Sequence, residues 1–376
     1  DALALDMSAA GAATFNSTIT TGGQLSIGTS ATGNGLGSFL NQGTGANFYE
    51  ASDGTKTMIA GTDGSNAFVK LGSLSAHPVG FVAGNVLKFQ IDTDGSLSTP
   101  TAGTSNVRFG VNAGNSIASG GNYNTVVGDE AGTAITTGDE NVAIGYAALT
   151  ANTLGRYSTA VGTSALRAQN YTSTTSAFNT AVGYDAGIAV TTGVQNTLIG
   201  GLAGDALTTG SQNVALGYQA LTLDDLGSDS VAIGKGTLQN QNYASATNSY
   251  NVAVGRDAGN DVTTGVQNTL IGGLAGDALQ DADNNVALGY NALTTDTLGS
   301  ASVAIGVSAL GSQNFTSATS SYNTGVGYNA GAAVTTGIQN TLIGGLAGDA
   351  ITTSNYTVAV GYNAAGSSTT GHSNSV

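Results

Sequence analysis

The sequence lacks the residue types that most enzymes depend on. Among 376 residues there is no cysteine and no tryptophan, and only two are proline. Without cysteine the chain has no disulfide framework, and nucleophilic catalysis would have to use serine. No GxSxG elbow is present, and the two histidines, His77 and His372, are isolated in Ser/Gly-rich segments. We therefore expect no enzymatic activity and no catalytic residue.

Charge is equally scarce. Only 8% of residues are charged, and 23 acidic against 8 basic residues give a net charge of −15. A nucleic-acid-binding protein needs a basic surface to neutralise phosphates, so that class is excluded. The acidity also disfavours anionic membranes. No apolar run approaches the ~18 residues of a membrane-spanning helix, so we expect no membrane insertion.

Glycine, in contrast, is abundant, with 58 residues. The stretch NTLIGGLAGDA occurs three times, at 196–206, 268–278 and 340–350, which is a period of 72 residues. Self-similarity at a fixed period is typical of stacked repeats. Fifteen units align on the last glycine of the motif N-[TV]-x-[VIL]-G, and their spacing within each period is 17, 17, 17 and 21 residues. The sequence predicts an all-β solenoid of about fifteen rungs, 105–376.

Each rung has a readable pattern around its motif glycine, which we number position 0. Position −4 is usually asparagine, and stacked asparagines are predicted to hydrogen-bond from rung to rung. Positions −3 and −1 should face one way and position −2 the other. The glycine should turn the chain into a second strand, such as 218–222. The predicted ladder comprises Asn124, Asn141, Asn179, Asn196, Asn213, Asn251, Asn268, Asn285, Asn323 and Asn340.

A rung of 17 residues is too thin to bury both of its apolar faces. One face stays uncovered, and association with further chains is the natural remedy. The expected core and subunit-contact residues lie at positions −2 and −1 of the NTLIGG units. They are Leu198, Leu270, Leu342, Ile199, Ile271 and Ile343.

The 21-residue units carry four extra residues, within 169–178, 241–250 and 313–322. Copies four rungs apart should lie ~19 Å apart along the rod. Two interpretations stay open: the aromatics protrude and stack on host glycans, or they seal contacts with a neighbouring chain. The candidate receptor-binding residues are Tyr171, Tyr243, Phe315, Asn170, Asn242 and Asn314.

Ahead of the rungs the sequence shows no repeat. We expect an extended β or linker region at 1–47 and a small antiparallel β unit at 48–104, with Asp-Gly turn signals between its strands. No cofactor is expected. The acidic pairs at 129–130, 139–140 and 224–225 can either hold structural calcium at a subunit seam or form a solvated face.

The motifs also resemble known families. The stretches SVAIG (230–234 and 302–306) and NVAIG (141–145) are similar to the head repeat of trimeric autotransporter adhesins. That resemblance implies a left-handed parallel β-roll with three chains side by side. Bacteriophage tail fibres are also similar to this chain. The resemblance lies in the longer units NTAVGYDAG and NTLIGGLAGDA and in sequence stretches of the amino-terminal region. The resemblance implies a homotrimeric fibre of the virion tail, extracellular, that contacts other tail proteins and a host-surface glycan or protein.

Two other function classes compete with the tail fibre. A bacterial surface adhesin or extracellular filament would use the same roll at the cell surface. An ice- or mineral-binding solenoid would need a regular threonine array, and the rungs at 223–226 and 281–283 lack the TTG turn. The last residues, Asn374 to Val376, read as the start of a sixteenth rung, so we expect the polypeptide to continue past Val376.

Overall fold

The computed structural model describes residues 47–52, 57–62, 69–73, 79–83, 86–91, 97–98, 103–367 and 375. Both histidines and residues 1–46 lie outside this set. The chain divides into two compact units, Asp1–Val79 and Gly80–Val376.

The first unit contains a three-stranded antiparallel sheet. Its strands are Asn47–Ser52, Thr57–Thr62 and Val69–Ser73, in that order across the sheet. Asn47 pairs with Thr62, and Thr62 pairs in turn with Val69. Antiparallel neighbours joined by short connections are what the Asp-Gly turn signals predict.

The second unit begins with another three-stranded sheet. Its strands are Val79–Ala83, Val86–Ile91 and Leu97–Ser98. Gln90 pairs antiparallel with Ser98, and the rings of Phe81 and Phe89 have centroids 5.4 Å apart. The strands of 47–98 therefore form two sheets rather than one.

The rungs form a parallel sheet of fifteen strands. Each strand pairs in register with the strand of the next rung, as Val142 does with Thr159. The strands are Val107–Phe109, Thr125–Val127, Val142–Ile144, Thr159–Val161, Thr180–Val182, Thr197–Ile199, Val214–Leu216, Val231–Ile233, Val252–Val254, Thr269–Ile271, Val286–Leu288, Val303–Ile305, Thr324–Val326, Thr341–Ile343 and Val358–Val360. The described residues contain no helix. The predicted all-β parallel solenoid of about fifteen rungs is confirmed.

The prediction of a second strand at 218–222 is wrong. After each motif glycine the chain runs through turns in which left-handed residues alternate with right-handed ones, for example Gln219 and Leu221, each with φ 56°. Such alternation prevents an extended strand. Additional two-residue strands pair only beside the 21-residue rungs: Gly155–Arg156 with Thr175–Ser176, Gly227–Ser228 with Thr247–Asn248, and Gly299–Ser300 with Thr319–Ser320.

The motif glycine is required by close stacking. At Gly272, φ is 137°, and a Cβ would lie 2.5 Å from the carbonyl oxygen of Gly289 in the next rung. Any side chain there would meet both a strained backbone and a rigid neighbour. The same close approach recurs at position 0 of the rungs from Gly110 to Gly344, and the positive φ recurs at Gly361 as well.

The interior of the solenoid is a column made mostly of small and branched apolar side chains. Position −2 points inward as predicted, because strand side chains alternate between faces. Position +3 is almost always alanine, and position +7 closes the column. Fully buried members include Val126, Ile135, Ala143, Val190, Leu198, Leu207, Val262, Leu270, Leu279, Val334 and Leu342.

The ten predicted ladder asparagines are all fully buried. Asn268 is representative: its Oδ1 accepts from the backbone N–H of Asn285 at 3.0 Å, and its Nδ2 donates to the carbonyl of Ala282 at 2.7 Å. The ladder therefore runs mainly from side chain to backbone rather than from amide to amide. Direct amide bonds supplement it at Asn124–Asn141 and Asn251–Asn268.

The far end of the described chain keeps the repeat register. Ser375 forms an isolated parallel bridge with Val358, which is the same position of the preceding rung, 17 residues earlier. This is the register that the Asn374-Ser375-Val376 pattern predicts for a sixteenth rung.

Candidate functional site

The outer face of the fifteen-stranded sheet carries a continuous row of apolar side chains at position −1. Position −3 is valine or threonine in every rung, and position −1 is valine, isoleucine, leucine or, once, phenylalanine. These side chains point away from the core and stay partly exposed: Leu216 is 41% exposed and Ile343 39%. We call this surface the sheet face.

The sheet face is long enough to form an interface. Fifteen strands spaced by about 4.8 Å give a band about 70 Å long, and three residues per strand make it about 10 Å wide. The band alone covers about 700 Å², close to the ~800 Å² that one partner contributes to a standard protein interface.

Aromatic side chains border the sheet face on both sides. Tyrosines at position +1 follow the corner glycine and are half or more exposed: Tyr146, Tyr184, Tyr218, Tyr290, Tyr328 and Tyr362. Further aromatics lie at position −5, just before the buried asparagine at position −4. Among them are Phe178, Tyr250 and Tyr322, which are 54%, 54% and 59% exposed. Rings of Tyr157 and Phe178 stack there with centroids 5.0 Å apart. Exposed tyrosines around an apolar band are typical of interaction surfaces.

The predicted core and contact residues divide between the two sides of the sheet. Leu198, Leu270 and Leu342 are 0% exposed within one chain, so they cannot contact a partner. Ile199, Ile271 and Ile343 sit one residue later and lie on the sheet face, where Ile343 is 39% exposed. Only the isoleucines are placed to meet another chain.

The structure does not place the rings of Tyr171, Tyr243 and Phe315, the candidate receptor-binding aromatics, on the surface of the chain. Each is only 5% exposed. The Tyr171 hydroxyl donates to the Gly193 carbonyl at 2.8 Å, and the Tyr243 hydroxyl donates to Gly265 at 2.9 Å. The four extra residues make room for the ring to turn inward instead of lifting it off the surface. Burial raises the pKa of both tyrosines above the ordinary value.

The asparagines beside those rings lie nearer the surface. Asn170 and Asn242 are exposed, and Asn314 is half-buried. Asn170 accepts from the Thr153 hydroxyl at 2.7 Å, and Asn314 accepts from Thr297 at 3.2 Å. These asparagines form hydrogen bonds to the neighbouring rung. The aromatic rings that were predicted to lie on the surface beside them are buried.

Three buried polar clusters interrupt the apolar column, and sequence reasoning missed them. Each forms where a 17-residue rung meets the following 21-residue rung, which we call a long rung (163–183, 235–255 and 307–327). A glutamine at position +7 of the long rung donates to a serine of the rung before. The pairs are Gln169–Ser158 at 2.9 Å, Gln241–Ser230 at 2.8 Å and Gln313–Ser302 at 2.8 Å. The missed signal was a polar residue at +7 in two consecutive rungs (Asn152 and Gln169, Asp224 and Gln241, Asp296 and Gln313), where most other rungs have isoleucine, leucine or valine.

The acidic pairs that were considered as calcium sites contain carboxylates that bond to groups of the protein itself. Asp129 Oδ1 accepts from the Val111 N–H at 3.0 Å, and Asp139 pairs with Arg156 at 3.0 Å. Asp224 is fully buried in the second polar cluster. Over the described residues, no group of three or more His, Asp or Glu side chains is arranged to hold a metal ion.

Comparisons with known proteins give no relative. No protein-family model matches the chain, and no curated protein or solved structure matches it significantly. Among the described residues no helix could cross a membrane.

Proposed function

We propose that this chain is a structural fibre and attachment protein: a homotrimeric segment of a bacteriophage tail fibre that contacts the host cell surface. The observation that carries the proposal is the sheet face, a band about 70 Å long on the outside of the solenoid, whose position −1 is apolar in every rung and whose position −3 is valine or threonine. A single chain would expose this band to water along its whole length, which disfavours a monomer.

Copies of the same chain suit this surface best. Side chains on the sheet face recur at about 4.8 Å, and a parallel copy presents the same spacing, so ridges and gaps match along the full rod. Symmetric assembly from identical chains is the usual state of soluble oligomers. The number three and the left-handed winding come from the resemblance of the SVAIG motif to adhesin heads.

A fibre role also fits the chemistry of the chain. A net charge of −15 suits an extracellular position on a virion tail. The repeated residues are engaged in stacking, as the asparagine ladder is, and within residues 103–367 no unique set of acid, base and nucleophile is assembled. We propose that the protein is not an enzyme, and that its partners are other tail proteins and a host glycan or protein.

The second candidate is a bacterial surface adhesin or extracellular filament with the same trimeric rod. The sheet face supports it equally, and the SVAIG motif favours it. An antibody raised against the purified protein separates the two when it is applied to a culture of the source and viewed by immunogold electron microscopy. Label on virion tails supports the tail fibre, label on cell surfaces supports the adhesin, and label on neither overturns the proposal.

A further inference from the structure

The second polar cluster holds a carboxylate inside the solenoid. Asp224 is 0% exposed, at position +7 of its rung, where the preceding rung carries Leu207 and the following rung carries Gln241. Its Oδ2 accepts from Gln241 Nε2 at 2.6 Å, and its Oδ1 accepts from the Gly227 N–H at 2.8 Å. A buried carboxylate without a cation is costly even when hydrogen-bonded.

Within the described rungs no positive charge compensates the Asp224 carboxylate. Within residues 103–367 the ion pairs are Arg156–Asp139 and Arg256–Asp257, and neither involves Asp224. The titratable groups that act on the cluster are Asp225, which adds like charge to Asp224, together with Tyr243 and Asp283. Each of these groups is either neutral or negative. None of them therefore stabilises the ionised carboxylate of Asp224, and the negative ones disfavour it.

The same chain contains an uncharged version of the site. The first cluster has Asn152 in the place of Asp224; its Oδ1 accepts from the Gly155 N–H at 3.0 Å and its Nδ2 donates to the Gly155 carbonyl at 3.0 Å. The local backbone therefore accepts an amide of the same shape. The third cluster has Asp296, which accepts from Gly299 and, in addition, from the Phe315 N–H at 3.1 Å.

We infer that Asp224 is a pH-sensitive element, which holds the second long rung tightly when its carboxyl is neutral and loosens it when the carboxyl ionises. Burial is the main reason that the pKa of Asp224 is raised, from 3.8 to about 6, and the charge of Asp225 adds to it. Because the folded pKa lies above the unfolded one, stability is greatest below pH 4 and falls as pH rises from about 4 to about 6. Above that window the loss is complete and constant.

The loosening should be local. The Gln241 amide joins Asp224 to Asn251, whose Nδ2 donates to Gln241 Oε1 at 2.9 Å. Asn251 in turn holds the backbone N–H of Asn268 in the next rung at 2.9 Å. Strain at the carboxylate therefore reaches the ladder at the long rung and should favour local opening there.

Hydrogen exchange of backbone amides in the full-length protein, compared between variants at one pH, tests the inference. A shift of about two pKa units corresponds to about 100-fold in the local opening constant. Asp224→Asn should therefore slow exchange in 235–255 by up to about 100-fold at pH 7.5 and leave it unchanged at pH 3.5. The reciprocal Asn152→Asp should speed exchange in 163–183 at pH 7.5 and not at pH 3.5.

Two results would overturn the inference. One is an Asp224→Asn effect of the same size at both pH values, which would mean that shape and not charge is responsible. The other is unchanged exchange in 163–183 of Asn152→Asp at both pH values. Asp229→Asn, a left-handed position with φ 60° where asparagine is equally acceptable, is the control and should change nothing.

Discussion

The hydroxyl of Tyr171 donates a hydrogen bond to the carbonyl oxygen of Gly193 in the next rung, 2.8 Å away, while the side chain of Asn179 donates to both oxygens. The Tyr171 side chain thus links two rungs of the solenoid. Although it belongs to an inserted, polar segment, this aromatic residue lies in the interior.

Truncating this ring should destabilise the fold. Tyr171→Ala removes a buried aromatic side chain and is expected to cost about 3–5 kcal/mol of unfolding free energy. Tyr171→Phe should cost only about 1 kcal/mol, since Asn179 still satisfies the Gly193 carbonyl and Phe315 is the natural counterpart in the third long rung. Denaturant titration measures both. Equal stability of Tyr171→Ala and the unchanged protein would place the ring outside the core.

The sequence predicted what depends on local periodicity and missed what depends on contacts between rungs. Alternation at 269–271 indicated which side of the sheet faces inward, and the recurrence of asparagine located the ladder. The inward turn of Tyr171 depends on Gln169, Asn179 and the adjacent rung, which no local pattern reveals. Left-handed φ angles at Gln219 and Leu221 were equally hidden, because neither residue type favours that conformation.

Adjacent glycines provide a matched test of rung stacking. Gly272→Ala combines a strained φ of 137° with a Cβ 2.5 Å from the Gly289 oxygen, and it should cost several kcal/mol. Gly273→Ala should cost less than about 1 kcal/mol, because its φ is outside the left-handed region and its Cβ would meet the Tyr290 ring at an ordinary 3.5 Å. The thermal unfolding temperatures of the two variants measure this difference. If Gly273→Ala proved the more damaging, the stacking geometry would be wrong.

The asparagine ladder should be far less tolerant than surface asparagines. Asn268→Ala leaves the Asn285 N–H and the Ala282 carbonyl buried without this partner, which is expected to cost about 2–5 kcal/mol. Asn115→Ala, at an exposed position, should change stability by less than about 0.5 kcal/mol. Urea unfolding of each variant gives the comparison, and similar losses for both would argue against the ladder.

Neighbouring residues on opposite sides of the sheet should differ in what they disrupt. Leu270→Asp places an unpaired charge in the core and should unfold the chain locally, with a loss of several kcal/mol. Ile271→Asp lies on the sheet face and should leave the secondary structure of each chain intact while weakening association. Circular dichroism and sedimentation together separate these outcomes. Association unaffected by Ile271→Asp would remove the sheet face from the interface.

The most direct test of the central claim is the mass of the assembled particle, measured by mass photometry or sedimentation equilibrium on the purified protein and on the triple variant Ile199→Asp, Ile271→Asp and Ile343→Asp. We expect three chains per particle for the unchanged protein and smaller species for the variant. A folded, stable monomer of the unchanged protein, with the sheet face open to water, would contradict the account.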